Sequence, residues 1–96
     1  MKKEPGIYKI EQISSKKVYI GSSKNMYKRC HRHMSELRHG KHFNLFLQRA
    51  FNKYGEDDFK VDCIEICSVD LLEEREQFYI DKYRSFDELN GFNLLK

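Results

Sequence analysis

The sequence predicts a small α/β sandwich of the α+β kind, in which helices flank a three-stranded antiparallel sheet. Two observations carry this prediction: three short runs have the composition of strands, and three longer segments repeat apolar residues at helical spacing. Their order along the chain is β-β-α-α-β-α, followed by a short tail. The 96 residues, 40% apolar and 34% charged, suit one globular domain, which we expect to span residues 1–96.

The first two strands predict a β-hairpin. Residues 6–13 (GIYKIEQI) and 17–21 (KVYIG) flank the polar turn SSKK. If the turn closes symmetrically between Ser15 and Lys16, Tyr8 and Tyr19 lie on one face of the hairpin, with Tyr19 opposite Gln12. That register separates the two tyrosines by four residues, about 13 Å at ~3.3 Å per residue. A slip of one residue would place them on opposite faces, so the pattern leaves their contact open.

The two segments after the hairpin have the spacing of amphipathic helices. Residues 22–40 predict a first helix, capped by Ser22 or Ser23 and stopped at Gly40. Residues 44–55 predict a second helix, which ends at its final glycine. The apolar residues at helical spacing in and just before this second segment are Phe43, Phe46, Leu47, Ala50, Phe51 and Tyr54.

A third strand and a third helix complete the order. Residues 58–67 (DFKVDCIEIC) predict a strand that is apolar enough to be central, although periodicity alone does not place it in the sheet. Residues 70–86 predict a helix opened by Asp70, with Glu73 three residues later as in a capping box. The tail 90–95 (NGFNLL) predicts a turn at its first two residues and a short final segment.

Charge is divided unevenly along the chain. Residues 1–54 carry thirteen Lys or Arg against three Glu, a net charge of +10, whereas residues 55–96 carry five against twelve Asp or Glu, a net charge of −7. The basic half indicates phosphate as a partner, and the acidic half contains carboxylates that suit a metal ion. Six basic residues of the first half are candidates for phosphate contacts, although a solvated helix face explains several of them more simply: Lys24, Lys28, Arg32, Arg38, Lys41 and Arg49.

The composition argues against several classes of protein. No apolar run approaches the ~20 residues of a membrane helix, and no apolar stretch follows the N-terminal lysines, so we expect neither a membrane segment nor a secretory signal. Among the three cysteines, Cys63 and Cys67 have no second cysteine pair or close histidines to complete a zinc site. We expect buried, reduced thiols in a cytoplasmic protein.

Three polar side chains stand on or beside apolar helix faces. Arg29 and His33 are four residues apart and border the apolar stripe of the first helix, which consists of Met26, Cys30, Met34 and Leu37. On spacing alone, both positions have an ordinary structural explanation: the arginine keeps its charged end in solvent, and the histidine is hydrogen-bonded at the edge of the core. Glu76 is costly on its face of the third helix unless it is paired with a base such as Arg29, hydrogen-bonded or bound to metal. That face also carries Leu72, Tyr79 and Tyr83.

These tyrosines, the arginine, the histidine and the glutamate suit phosphodiester cleavage, but spacing does not bring them together. GIY at 6–8, followed after ten residues by YIG at 19–21, resembles the two-part signature of the GIY-YIG nuclease family. The likeness continues through YKRCHRH, EREQFYID and NGFN, and GKHFNLFLQRAFNKYG resembles phage intron-encoded homing endonucleases in particular. The resemblance spans nearly the whole chain, from Gly6 to about Asn93.

The resemblance implies a metal-dependent DNA endonuclease with a role for each matched residue. Tyr8 is expected to help deprotonate the attacking water, and Tyr19 to support or position it. Arg29 is expected to stabilise negative charge on the pentavalent phosphate, and His33 to assist proton transfer or orient a tyrosine. Glu76 would bind one divalent cation, Mg²⁺ or another such as Mn²⁺, that stabilises the leaving 3′ oxygen. The products would carry 5′-phosphate and 3′-hydroxyl ends.

The resemblance gives other residues lesser roles. Asn93 would contact phosphate or brace the site, and His42 matches a histidine of the intron-encoded branch. Possible phosphate contacts are His42, Lys17 and Lys28. Free tyrosine has a pKa of about 10. Arg29, the metal and Lys17 are therefore expected to favour the phenolate, unless metal-bound water relays the proton instead.

DNA is the expected partner, with no membrane, no small-molecule cofactor beyond the metal, and a monomeric state. Two alternatives stay open: a non-catalytic nucleic-acid-binding module with this fold, and a structural subunit whose charged halves bind protein. Homing endonucleases of this type usually join the nuclease domain to a linker and a DNA-binding region, for which this chain offers no candidate. We therefore expect an isolated catalytic domain or a small standalone nuclease, with few residues left to read bases.

Overall fold

The computed structural model describes residues 1–93 and confirms the predicted fold class. Its elements are β1 (Gly6–Gln12), β2 (Val18–Ser23), α1 (Met26–Arg38), α2 (Leu45–Tyr54), β3 (Phe59–Ile66) and α3 (Leu72–Tyr83). Both strand pairs are antiparallel. Leu94 and Leu95, the end of the predicted final segment, lie outside the described residues. Within residues 1–93, no helix is both long and apolar enough to cross a membrane.

The sheet places β1, not β3, in its centre. The strand order is β2-β1-β3, so the third strand, whose place the sequence left open, lies at an edge although its composition is apolar enough for the centre. Residues of β1 are buried on both faces, whereas four of the eight residues of β3 are exposed. Two charged residues within β1 obscured this difference. Lys9 and Glu11 point to the same face and form an ion pair of 3.2 Å, which lets charged side chains occupy a central strand.

The hairpin register differs from the predicted one by two residues. Tyr8 pairs with Gly21, and Ile10 pairs with Tyr19. The connecting loop has five residues, 13–17, in which Lys16 adopts a left-handed conformation (φ 69°) and its N–H donates to the Gln12 carbonyl. Both tyrosines still share a face, but they are offset by two residues, about 7 Å at ~3.3 Å per residue. The predicted separation of 13 Å is therefore wrong.

The glycines of both motifs allow close approaches that no other residue would allow. A Cβ at Gly21 would lie 2.5 Å from the Cζ and Oη atoms of Tyr8. A Cβ at Gly6 would lie 2.3 Å from the Glu65 carbonyl oxygen and 2.7 Å from the Met26 methyl group. The glycine of YIG thus makes room for the tyrosine of GIY on the neighbouring strand.

The helices cover the two faces of the sheet separately. Helices α1 and α2 pack on the face that carries Tyr8 and Ile10, around a core of Met26, Cys30, Leu37, Leu47, Phe51, Phe59 and Phe92. Helix α3 packs on the other face through half-buried side chains, against Ile7, Val18 and Ile20. No residue of α3 is fully buried, so its face of the sandwich is more open than the other.

The helix ends follow the predicted glycines but not the predicted caps. Gly40 and Gly55 have positive φ angles of 70° and 88° just beyond α1 and α2. The N-cap of α1 is Asn25, whose side chain accepts from the Lys28 N–H, because β2 runs through Ser23. Helix α3 starts at Leu72 after a single turn of 3₁₀-helix, so the predicted capping box is not formed.

The burial predicted for some apolar residues is wrong. On α2 the buried residues are Leu47, Gln48 and Phe51, whereas Phe46 and Tyr54 are 47% and 53% exposed. Among the three thiols, which are all free, Cys30 is buried but Cys63 is exposed on the edge strand β3. An edge strand is covered less completely than a central one, so apolar composition alone overestimated burial there.

Candidate active site

The predicted site residues come from both faces of the sheet and meet at the outer edge of β2. Tyr19 projects from one face, and Glu76 belongs to α3 on the other face. Tyr19, Glu76 and Asn93 nevertheless line one cavity of about 270 Å³, together with Phe43. The edge of β2 is therefore the place where groups from the two layers can act on one ligand.

A buried tyrosine–histidine pair lies next to this cavity. The Tyr8 side chain is 1% exposed, and its Oη atom is 2.6 Å from Nε2 of His33. His33 is completely buried on α1, deeper than the predicted position at the border of the apolar stripe. Burial, followed by the positive charge of Arg29 and the neighbouring His42, lowers the pKa of His33 to about 3, so the ring is neutral at physiological pH.

His42 extends this pair into a row of three side chains. Its Nε2 atom is 2.7 Å from Nδ1 of His33, and its Nδ1 atom accepts from the Asn44 backbone N–H at 3.1 Å. The ring also stacks on Phe43, with ring centroids 4.6 Å apart. His42 is 3% exposed and uses both ring nitrogens, so its position does not suit the predicted phosphate contact.

Tyr19 stands between these rings and solvent. It is half-buried and makes T-shaped ring contacts with His33 and Phe43. Burial raises the pKa of Tyr19 to about 12 and also raises the pKa of Tyr8, and the charge of Arg29 opposes both shifts without cancelling them. Both hydroxyl groups are therefore protonated in the domain by itself. Arg29 alone does not produce the phenolate.

Arg29 is available to an anion. It is half-buried on α1, its guanidinium lies 5.9 Å from the centre of the Phe43 ring, and within residues 1–93 no carboxylate forms an ion pair with it. It borders a basic hollow of about 440 Å³ that is also lined by Lys24, Lys28 and Arg32. A guanidinium without a carboxylate partner at the rim of such a hollow is suited to a phosphate group.

Glu76 is a carboxylate without a basic partner in the described part of the chain. Its Oε1 atom accepts a hydrogen bond from the Ser22 hydroxyl, and no Lys, Arg or His lies within ion-pair distance of it. The salt bridge to Arg29 that the sequence left open is not formed. Helix α3 is held in place by Arg75 and Tyr79, which bind the Glu65 carboxylate of β3 at 2.8 and 2.7 Å.

Two places in the described chain offer metal ligands. Mg²⁺ binds through one or two carboxylates and completes its shell with water and substrate phosphate, so Glu76 at the rim of a cavity fits it. His33, Glu36 and His42 also have ligand atoms within 4.8 Å of one another. Imidazole nitrogens suit Zn²⁺ rather than Mg²⁺, and here they are hydrogen-bonded to each other, so this group does not fit Mg²⁺.

The remaining predicted residues lie in different places. The Asn93 side chain accepts from the Ile20 N–H at 2.6 Å and donates to the Ile20 carbonyl at 2.9 Å, so it braces the outer edge of β2. Lys28 lines the basic hollow beside Arg29. Lys17 instead lines a hollow near Phe46 at the turn of the hairpin, and it is not among the residues that line the cavity of Glu76.

Three residues of the site were not predicted from the sequence. Ser22 holds Glu76, Asn44 supplies a backbone donor to His42, and Phe43 packs on that ring. Only Ser22 had a usable signal, because strand alternation places it on the same face as Ile20, the face that α3 covers. Contacts to a backbone amide or a ring face leave no pattern in the sequence.

Acid is expected to destabilise the domain through His33. Its pKa is about 3 in the folded protein and about 6.5 when unfolded, so between these values the unfolded state binds more protons. The free energy of unfolding therefore falls as the pH decreases through this window, by roughly 2 kcal/mol between pH 6.5 and 5 for this one group.

Urea unfolding at pH 7.5 and 5.0 measures this effect. The variant His33→Gln should lose less stability over that range than the wild type. The variant His31→Gln is the matched control, because His31 is exposed on the same helix, and it should behave like the wild type. An equal pH dependence in all three proteins would contradict the assignment to His33.

The sequence matches a known family over residues 4–93, the one described as the GIY-YIG catalytic domain. It is 41% identical over 91 residues to Intron-associated endonuclease 1 of Enterobacteria phage T4, covering 93% of this chain and 36% of that protein. It is 34% identical over 103 residues to Probable intron-encoded endonuclease 1 of Neurospora crassa, covering 99% of this chain and 32% of that protein. The chain thus spans about a third of the length of these curated relatives.

Solved structures resemble the whole described fold. An alanine variant of the catalytic domain of intron endonuclease I-TevI has a TM-score of 0.85 and 39% identity, covering 99% of this chain and 95% of that chain. The catalytic domain of the homing endonuclease I-TevI has a TM-score of 0.83 and 38% identity, covering 93% of this chain and 96% of that chain.

Proposed function

This chain belongs to the GIY-YIG catalytic domain family, and from that premise we propose that it is the nuclease domain of a homing-type endonuclease. It hydrolyses phosphodiester bonds of DNA and leaves 5′-phosphate and 3′-hydroxyl ends. The named relatives are intron-type endonucleases, which supports this choice of substrate. Residues 1–96 form a single nuclease domain, which acts as a monomer in the cytoplasm, where its three free thiols stay reduced.

One observation carries the proposal: Glu76 is a half-buried carboxylate at the rim of a cavity, with a hydroxyl contact but no base beside it among residues 1–93. An unpaired carboxylate in such a place lowers stability, and a structural role alone does not explain it. Glu76 holds a divalent cation, Mg²⁺ by the chemistry of its oxygen ligands. When bound, the cation supplies positive charge that stabilises the scissile phosphate and the leaving 3′ oxygen.

The other residues act on the phosphate and the attacking water. Arg29, which has no carboxylate partner in the described chain, stabilises the negative charge that builds on the pentavalent phosphate. Tyr8 accepts the proton of the water, and Tyr19 positions that water beside it. Burial keeps both tyrosines protonated in the domain by itself, so Tyr8 acts as a base only after its own hydroxyl proton has passed to solvent. The positive charges of Arg29 and of a bound cation would favour that loss.

Cleavage of a supercoiled plasmid with Mg²⁺, and with excess EDTA, tests the proposal. The wild type is expected to convert the plasmid only with Mg²⁺. Arg29→Ala should reduce the rate about 100- to 1,000-fold, because removing one preorganised donor to a developing charge has effects of that size. Lys60→Ala is the matched control: it removes the same charge from β3, at the opposite edge of the sheet, and should leave the rate unchanged.

Three outcomes would contradict the proposal. Equal plasmid loss in every sample, including Arg29→Ala, would indicate a contaminating nuclease. Salt-sensitive DNA binding without cleavage would favour a non-catalytic nucleic-acid-binding module. The absence of DNA binding, or binding that does not weaken with salt, would favour a structural subunit.

A further inference from the structure

We propose that His42 is a positioning residue that fixes the direction of the hydrogen bond between His33 and Tyr8, so that Tyr8 is always the acceptor in it. The inference rests on the proposed function only for its catalytic consequence. The hydrogen-bond directions themselves follow from the fold. They assign a role to His42, whose position does not suit a phosphate contact.

The direction of the hydrogen bonds in this row is set at the His42 end by the main chain. A backbone N–H can only donate, so at 3.1 Å from the Asn44 nitrogen the Nδ1 atom of His42 must be an acceptor. A neutral imidazole has one donor and one acceptor nitrogen. His42 is 3% exposed, and burial lowers its pKa, which keeps it neutral. Its proton therefore lies on Nε2.

The same reasoning gives the position of the proton on His33. Nε2 of His42 lies 2.7 Å from Nδ1 of His33 and donates to it, so Nδ1 of His33 is bare and the proton of His33 lies on Nε2. That N–H then donates to Oη of Tyr8 at 2.6 Å. All three hydrogen bonds point toward Tyr8, and the hydroxyl proton of Tyr8 points away from His33.

The surroundings hold this arrangement in place. The backbone N–H of His42 donates to the side-chain oxygen of Gln48 at 2.9 Å, and the ring stacks on Phe43. The Asn44 side chain caps α2 by accepting from the Leu47 N–H at 3.0 Å. The main chain on both sides of the His42 ring is thus tied to helix α2, so the Asn44 amide cannot turn away from the ring without breaking the start of that helix.

The consequence separates two roles of His33 that the sequence left open. Nε2 of His33 is protonated and has no free lone pair toward Tyr8. At the other end of the row, the backbone amide of Asn44 cannot release a proton. The row therefore cannot carry a proton away from Tyr8. It presents a fixed N–H donor to the tyrosine oxygen, which stabilises negative charge there and directs the hydroxyl proton away from α1. His33 orients Tyr8, and His42 makes that orientation obligatory.

The first test reads the ring protons without any activity. Two-bond ¹H–¹⁵N correlation spectra of the ¹⁵N-labelled wild type at neutral pH distinguish protonated from bare ring nitrogens, and His33→Gln and His42→Gln assign the signals. Protonated Nε2 and bare Nδ1 are expected in both buried histidines. A protonated Nδ1 in His33 would overturn the proposal, whether or not the protein cleaves DNA.

The second test compares two variants of similar size at position 42. Gln places an N–H donor near the position of Nε2, whereas Met fills the same space without a donor. We expect His42→Met to lower kcat about 10- to 100-fold with little change in KM, and His42→Gln to restore most of the rate. Thermal unfolding of both variants shows whether they are folded.

The same exchange at an exposed histidine of α1, His31→Gln and His31→Met, is the control and should leave kcat unchanged. Equal kcat values for folded His42→Gln and His42→Met would overturn the catalytic consequence of the proposal. A wild type that binds DNA but never cleaves it would instead contradict the proposed function, and the ring-proton spectra would still decide the direction of the row.

Discussion

Replacement of Glu76 by glutamine is expected to reduce metal-dependent DNA cleavage about 1,000-fold, the largest loss that we predict for a single side chain. Glutamine keeps the shape of the side chain and still accepts from the Ser22 hydroxyl, but it lacks the charge that holds a divalent cation. The fold should be unaffected or slightly more stable, since the carboxylate has no basic partner among residues 1–93.

Initial rates of plasmid cleavage across a Mg²⁺ titration measure this effect, and urea unfolding of the same samples checks the fold. Glu74→Gln is the matched control, because Glu74 is an exposed residue of the same helix, two positions away. It should cleave at the wild-type rate. A Glu76→Gln protein that cleaves within threefold of the wild type at every Mg²⁺ concentration would show that Glu76 does not bind the cation.

The second large effect concerns stability. Gly21→Ala is expected to lower the free energy of unfolding by about 3 kcal/mol and the Tm by ~10–20 °C. The new Cβ would lie 2.5 Å from the ring of Tyr8, which is packed against α1 and has no space to move. Relief of this overlap requires the two strands to separate or the buried Tyr8–His33 hydrogen bond to break.

A double-mutant cycle isolates the contact. In a Tyr8→Ala background the ring atoms that Gly21→Ala would overlap are absent, so the same substitution should lower the stability by less than about 1 kcal/mol. Urea or thermal unfolding of the four proteins gives the coupling energy. An equal loss in both backgrounds would mean that Gly21 is required for its backbone and not for the room it leaves to Tyr8.

Much of the fold was predictable because its signals are local. Apolar residues at helical spacing located the helices, and Gly40 and Gly55 marked where two of them end. The hairpin register was not predictable, because it depends on a distant residue: the loop at Ser14 is tied to the Asp58 side chain by hydrogen bonds of 3.1 and 2.6 Å. The order of the strands was not predictable for a similar reason, since ion pairs of Glu11 with Lys9 and with Lys60 on β3 make a charged strand acceptable in the centre.

The site was predictable to the extent that its residues break a pattern. Glu76 and Arg29 stood out because polar groups on or beside apolar faces need a partner or a purpose. His42 and Lys17 were predicted as possible phosphate contacts, and the structure places one in the core and the other at the far end of the hairpin. Whether a histidine meets solvent or a backbone amide is decided by tertiary packing, which spacing does not contain.

The two walls of the cavity that contains Glu76 differ in how deeply their supporting residues are buried. One wall carries Tyr19, which packs against the buried Tyr8 and His33 of the closed core. The other carries Glu76 of α3, a helix that has no fully buried residue and whose Arg75 and Tyr79 bind the Glu65 carboxylate of β3. Local opening is easiest where few apolar contacts must be broken, so amide hydrogens of α3 should exchange with deuterium well before those of β1. Under the proposed function, the tyrosine that takes the proton therefore lies in the rigid core and the carboxylate that binds the cation lies on the helix that opens more easily. The distance between the two can then adjust to the DNA backbone.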